Sequence, residues 1–495
     1  MNYISTRDKS VKVSAAKAIA QGISEEGGLF VPESFPSFTE KDFEKLTELD
    51  YKGRAKYILK LFLDDFTEEE VDYCIEGAYT GSFDDEQPAP FAVLNQNANI
   101  LELWHGPTCA FKDLALQLLP YLLTTSAKKV NGGKKTVILV ATSGDTGKAA
   151  LEGFKDVPDT EIMVFYPSEG VSPMQKLQMS SQEGANVHVC AIKGNFDDAQ
   201  TGVKKIFTDT KVKEKLAENN MLFSSANSIN WGRLAPQIVY YISAYCDLLK
   251  RNGGKLDGGF NVVVPTGNFG NILAAYYAKK MGTPINKLIC ASNANRVLTD
   301  FICSGTYDRN REFYTTASPS MDILISSNLE RMLFELCGNN DTEVASLQAS
   351  LSETGKFTVS EKVKAAMGEL FWGGCCDDEN TLATINKIFT KYGYLCDTHT
   401  AVAMNVYEQY LSATGDDRAT VIASTASPYK FAKSVLSAVS DSEGKDEFDT
   451  VALLSKETAT EIPAPIKALE NATVRFDDIC EKQDMLDAVY SALNI

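Results

Sequence analysis

Only three histidines occur in 495 residues, His105, His188 and His399, and none stands at the spacing of a metal site, so no catalytic metal is expected. Paired cysteines are missing too. Eleven thiols lie between Cys74 and Cys480 without a C-x-x-C, and the only neighbours are Cys375 and Cys376, a pattern of reduced, mostly buried thiols rather than a disulfide frame or zinc site. Basic residues are in deficit, 48 against 66 acidic, and the net charge of -18 argues against nucleic acid or an anionic membrane as partner. No run approaches the ~20 apolar residues that span a bilayer. The opening Met1-Asn2-Tyr3-Ile4-Ser5-Thr6-Arg7 lacks the apolar core of a signal peptide, so the expected location is cytoplasmic.

What is present is ordinary globular composition, 44% apolar and 23% charged, in a chain long enough for two or three domains. Residues 1–95 mix short helical patterns with acidic loops and end at Gln87-Pro88-Ala89-Pro90; they are expected to form an N-terminal domain. Beyond them, short apolar strands alternate with helices: Val137 to Ala141, Glu161 to Tyr166, Ala185 to Cys190, Phe260 to Val264, Lys287 to Ala291 and Ala419 to Ala423. Such a pattern predicts an α/β fold with a mainly parallel sheet covered on both faces, binding ligands at the carboxyl ends of its strands.

The most informative stretch is His105-Gly106-Pro107-Thr108-Cys109-Ala110-Phe111-Lys112-Asp113, followed by an apolar helix predicted from Ala110 onward. Lys112 in its first turn shares a face with Leu116 and Leu119. Two readings fit. Burial and the helix N-terminus lower the lysine pKa and prepare a nucleophilic amine, or the side chain snorkels to water or pairs with Asp113.

Two further loops join a strand to a helix. Pro265-Thr266-Gly267-Asn268-Phe269-Gly270-Asn271 has the free N–H groups of a phosphate cradle, although a tight turn with nothing bound fits as well; it lacks the G-x-G-x-x-G of dinucleotide sites. Thr142-Ser143-Gly144-Asp145-Thr146-Gly147-Lys148 fails as a P-loop, because Thr142 stands where glycine is required and Ala149 replaces the metal-binding hydroxyl. What remains suits a carboxylate. Lys148 opposes the helix dipole and either answers a bound anion or is simply exposed. Tyr166 to Lys176, Ser225 to Arg233 and Ser424 to Phe431 are polar strand-end loops of little specificity alone.

Taken together, these stretches resemble threonine synthase, a pyridoxal 5'-phosphate enzyme of the fold that includes tryptophan synthase β. The resemblance extends through Tyr3 to Arg7, Glu26 to Pro32, Gly194 to Gln200, Asn227 to Asn230, Ser318 to Ile323 and Asp397 to Val402, and is to the longer fungal and enterobacterial type. It implies a fold type II enzyme with two mainly parallel sheets covered by helices. A large cofactor domain would comprise 96–130 and 250–495, and a small substrate domain 131–249. It implies that Lys112 bonds to the cofactor aldehyde, that Gly267, Asn268, Phe269, Gly270 and Asn271 hold its phosphate, and that Thr425 meets its pyridine nitrogen. Ser143, Gly144, Asp145, Thr146 and Gly147 would take the substrate carboxylate; Lys148, Lys176 and Arg233, with Ser228 and Asn230 as donors, would take the substrate phosphate. Where the family usually reads Thr-Ala-His-Pro-Ala-Lys-Phe, this chain has Thr425-Ala426-Ser427-Pro428-Tyr429-Lys430-Phe431. The implied reaction converts O-phospho-L-homoserine and water to L-threonine and phosphate, in a monomer or weak homodimer. The rivals are a phospho-lyase releasing 2-oxobutyrate, a nucleotide-binding module on Ser143 to Lys148, and a silent scaffold.

Overall fold

Two parallel sheets arise from strands apolar on both faces. The computed structural model describes residues 1–84, 87–142, 144–169 and 171–495. In the larger sheet the strands lie in the order Phe371–Cys375, Ile285–Ser292, Phe260–Pro265, Thr420–Ser424, Ala98–Glu102, Phe91–Val93, all parallel except the last. Its pairing sets Val262 beside Leu288 and Val421, and Ile422 beside Ile100. The side-chain period of two then splits each strand between two cores, Val262 and Val264 facing one and Val263 the other. Every residue of Phe260–Pro265 and Thr420–Ser424 is buried, as a sheet with both faces covered requires.

The smaller sheet runs Ile479–Glu481, Val187–Lys193, Thr160–Pro167, Lys135–Ala141, Met221–Ser224, all parallel. Its edge strand comes from far along the chain: Lys193 is ion-paired to Glu481, 288 positions away. Helix Met485–Leu493 follows it onto the same sheet, where Met485 fills the space above Gly202 that any Cβ would occupy. Residues 479–493, expected with the large domain, therefore pack with the small sheet. The strand expected over 185–190 runs over Val187–Lys193, because Asn186 spends its side-chain amide on Phe154 and Thr160 carbonyls while Ile192 continues the ladder beside Pro167.

The N-terminal residues form an antiparallel three-stranded sheet, Lys12–Val13, Tyr3–Ser5 and Phe30–Pro32, with helices Ala15–Gln21, Glu40–Glu48, Tyr51–Phe62 and Glu68–Tyr79. They rest on the long helix Trp231–Arg251 through Tyr3 and Phe62 against Trp231, and through the buried Arg54, 2.8 Å from Asp247.

The helix expected to run on from Ala110 is broken. It forms over Asp113–Leu116 and again over Leu119–Val130, with Lys112 in the cap position. Pro120 explains the break, since it has no N–H for the Leu116 carbonyl and its ring clashes with that group. The freed carbonyl is met by Gly153, where an added Cβ would lie 2.0 Å from the oxygen.

Candidate active site

Lys112 sits in a turn that the sequence builds tightly. Cys109 takes a left-handed conformation at φ 56°, and Thr108 donates to Asp113 through its backbone N–H at 2.9 Å and its hydroxyl at 2.6 Å. Gly106 is required, because a Cβ there would lie 2.5 Å from that of Asp113. The turn is stitched to the loop after Thr420–Ser424: Phe111 N donates to Thr425 O at 2.9 Å and Ser427 N to Cys109 O at 3.1 Å. With both oxygens engaged by Thr108, Asp113 is not the partner of Lys112; burial pushes its own pKa up to about 6 against those hydrogen bonds. Lys112 as a residue is part-exposed, but its amine lies among protein atoms, 4.8 Å from the centre of the Phe111 ring. Burial pushes the amine down to about 8; Asp145 resists, while the cations Lys430 and Arg233 add to the fall.

Lys430 is the functional residue that residue-by-residue reading missed, although it stands in the Thr425 to Phe431 motif. Its side chain is 1% exposed, and its Nζ lies 2.7 Å from Asp145 Oδ1 and donates to Thr108 O at 2.8 Å. Burial alone would raise the Asp145 carboxyl, but Lys430 and Lys112 outweigh it and hold the group far below the usual range. Gln175 donates to Asp145 at 3.3 Å, and Ser320 Oγ lies 3.5 Å from its other oxygen.

The Gly267 turn is built from its acceptors outward. Gly267 O accepts from Ser326 Oγ at 2.7 Å, Asn268 O accepts from Asn328 N at 3.0 Å, and Phe269 is left-handed at φ 63° before helix Gly270–Lys280. Among the described residues the N–H groups of Gly267 to Asn271 have no partner. Asn271 Oδ1 accepts from Tyr240 at 2.9 Å and also from Tyr241, whereas its buried Nδ2 has no partner among the described residues. An orphaned buried donor at a helix N-terminus is what an anion such as a cofactor phosphate would satisfy. Thr425, buried, follows the neighbouring strand Thr420–Ser424.

The other predicted positions divide. Ser143 lies outside the described residues. In its loop, the N–H groups of Gly144 and Gly147 are already taken by Thr142 Oγ1, at 3.0 and 3.1 Å, leaving Asp145 and Thr146 at the helix start. Lys148 is buried but turned aside: it donates to Gln182 at 2.6 Å and pairs with Glu152 at 3.2 Å, so its charge is spent within the small sheet's helices. Asn230 likewise holds no free group, because its amide donates to Ile19 and Ser225 and its oxygen caps helix Trp231–Arg251 through Gly232 N at 2.9 Å. Ser228 is part-exposed, with its carbonyl accepting from Asn328. Lys176 is exposed on helix Pro173–Ser180, the helix whose Gln175 reaches Asp145. Arg233 is different. It is 3% exposed, donates to Ala226 O at 2.6 Å, and leaves Nε without a partner among the described residues; burial pushes it down to about 10.

Family models match the chain over three stretches: "Threonine synthase N terminus" over residues 2–79, "Pyridoxal-phosphate dependent enzyme" over 94–425, and "Threonine synthase, C-terminal" over 400–489. Threonine synthase-like 1 of Macaca fascicularis is 40% identical over 455 residues, 88% of this chain but 60% of that protein, so the chain spans about three fifths of that relative's length. Threonine synthase of Pseudomonas aeruginosa is 38% identical over 88% of this chain and 90% of its own. The crystal structure of PLP-bound threonine synthase from Brucella melitensis is 35% identical and superposes with a TM-score of 0.89, covering 100% of this chain and 99% of the other.

Proposed function

The chain belongs to the threonine synthase family of pyridoxal-phosphate enzymes, and on that premise we propose that it converts O-phospho-L-homoserine and water to L-threonine and phosphate, by γ-elimination and then β-addition. Pyridoxal phosphate, when bound, supplies a conjugated system that accepts the electron pair left by breaking a C–H bond beside an amine. The residues present fit it. The Gly267 to Asn271 turn would hold its phosphate, Thr425 would meet its ring nitrogen, and Lys112 would take its aldehyde carbon.

Lys112, with a proton affinity close to neutrality, serves as the base at the substrate Cα and then at Cβ, both within reach of one flexible amine. Arg233, a buried cation without a carboxylate partner among the described residues, takes the departing phosphate, with Lys176 and Ser228 as outer contacts. Ser143, Asp145 and Thr146 frame the substrate carboxylate and amine, while Gly144 and Gly147 shape the loop, their N–H groups being held by Thr142. Lys148 and Asn230 drop out of the set because their polar atoms are already spent.

The observation that carries this reading is the charge at the centre of the site. Lys430 and Lys112 act on Asp145, and Arg233 acts on Lys112 beside a weakened Asp113, an excess of positive charge inside a protein of net charge -18. An anionic substrate balances it. We place the reaction in the cytoplasm, on the support of seven buried free cysteines, and in a monomer or weak homodimer, for which light scattering is the measurement. Lys112→Ala should lower threonine formation at least ~1,000-fold in a folded protein. Retained threonine formation in that variant overturns the assignment, and release of 2-oxobutyrate in place of threonine by the parent would make it a phospho-lyase.

A further inference from the structure

A chain of buried polar groups runs behind the site, and neither the cofactor turn nor the substrate loop accounts for it. It begins at Ser424, the residue before Thr425, whose Oγ is hydrogen-bonded to Thr400 Oγ1 at 2.9 Å and accepts from Trp104 Nε1 at 3.1 Å. Thr400 also binds Asp397, the fully buried cap of helix Thr398–Thr414. Asp397 Oδ2 lies 2.6 Å from Nδ1 of His399, a ring 2% exposed. The far nitrogen of that ring, Nε2, accepts the backbone N–H of Ser320 at 3.1 Å.

The last bond settles the tautomer. A nitrogen that accepts an N–H carries a lone pair, so the proton sits on Nδ1 and is donated to Asp397. Ser320, an exposed residue, sits at the junction of the two loops described above. A Cβ added to Gly267 would lie 3.0 Å from Ser320 O, and Ser320 Oγ is 3.5 Å from Asp145. From the other side the same turn is pinned by Asp322, which accepts from Asn293 at 2.8 Å and Asn295 at 2.9 Å.

We propose that His399, oriented by Asp397, is a positioning residue: by holding the Ser320 N–H it fixes the Ser318 to Asp322 turn against Gly267 and presents Ser320 to Asp145, coupling the grip on the cofactor phosphate to the substrate loop. The arrangement parallels the way outer hydrogen bonds orient a ligand-binding group without touching the ligand.

Three variants test it, each measured for melting temperature, for the dissociation constant of pyridoxal phosphate added to cofactor-free protein, and for KM and kcat. His399→Leu removes the acceptor and should weaken cofactor binding and raise KM by roughly tenfold each, with kcat changed less. His399→Gln keeps an acceptor at the Nε2 position and should recover most of both. Ser320→Ala keeps the backbone bond but loses the hydroxyl, so it should raise KM and leave cofactor affinity alone. Cofactor binding and KM unchanged in His399→Leu would overturn the proposal, as would a His399→Gln variant as impaired as His399→Leu. Should His399→Leu fail to fold, an unchanged KM in Ser320→Ala overturns the coupling. The kinetic arm rests on the proposed reaction and the cofactor arm does not. A shifted cofactor constant in a protein that makes no threonine would therefore fault the reaction and leave the positioning role standing.

Discussion

The Gly267 turn of the large sheet and the Thr142 to Gly147 loop of the small sheet are built alike, each carrying glycines between a buried strand and a helix, yet they spend their hydrogen bonds in opposite ways. The first ties down its carbonyls, through Ser326 and Asn328, and leaves the Asn271 donor unpaired among the described residues. The second gives the N–H groups of Gly144 and Gly147 to its own Thr142. Glycine content alone does not make an anion site. What decides is whether neighbouring residues consume the donors or the acceptors.

The sharpest way to break the contrast is to cut the link between the loops. Lys430→Met leaves Asp145 buried without its ion pair, and should cost about 3–5 kcal/mol of stability, read by denaturant unfolding, together with most of the activity. The same change removes a cation that disfavours protonation of Lys112. In cofactor-free protein the pH at half-maximal labelling of Lys112 by an aldehyde, near 8 in the parent, should therefore move upward.

On the large-sheet side, Asn271→Asp keeps the oxygen that serves Tyr240 and Tyr241 but replaces the free donor with negative charge. Cofactor affinity should fall on the order of 100-fold, and because the new carboxylate is buried without a cation the cofactor-free protein should also melt lower. On the small-sheet side the reverse is expected. Thr142→Val strands two N–H groups and should lower stability by about 1–2 kcal/mol with no loss of cofactor affinity, whereas Thr142→Ser restores it. The smallest effect belongs to Lys176→Ala: with its side chain exposed, stability should change by less than ~0.5 kcal/mol and KM by a small factor. A large KM change would bring the substrate phosphate to the outer face of the cleft.

Much of this was legible in the chain itself, for local reasons. Continuous apolar runs mark parallel strands, so Val137 to Ala141 and Phe260 to Val264 fall inside the strands observed, and a lysine beside a Gly-Pro turn signals an unusual amine. What escaped depends on partners far away in sequence. The inward turn of Lys148 requires Gln182, the spent amide of Asn230 requires Ile19, and the pairing of Lys430 requires Asp145, none of which a local pattern supplies, whereas the Glu152 partner of Lys148 and the Asn230 cap on Gly232 were local and within reach. The break after Leu116 was within reach, since Pro120 stands four residues on; the apolar run around it masked the missing N–H. Strand Phe371–Cys375 was hidden by two glycines, and Ile479–Glu481 by its brevity.

That last strand has a practical consequence. A fragment cut at 131–249 would carry the substrate loop and look like a tidy unit, but it would bare the backbone of residues 191–193, which Ile479–Glu481 covers in the whole chain. Such a fragment is expected to stick to copies of itself, and adding residues 479–493 as a separate peptide should dissolve the clumps.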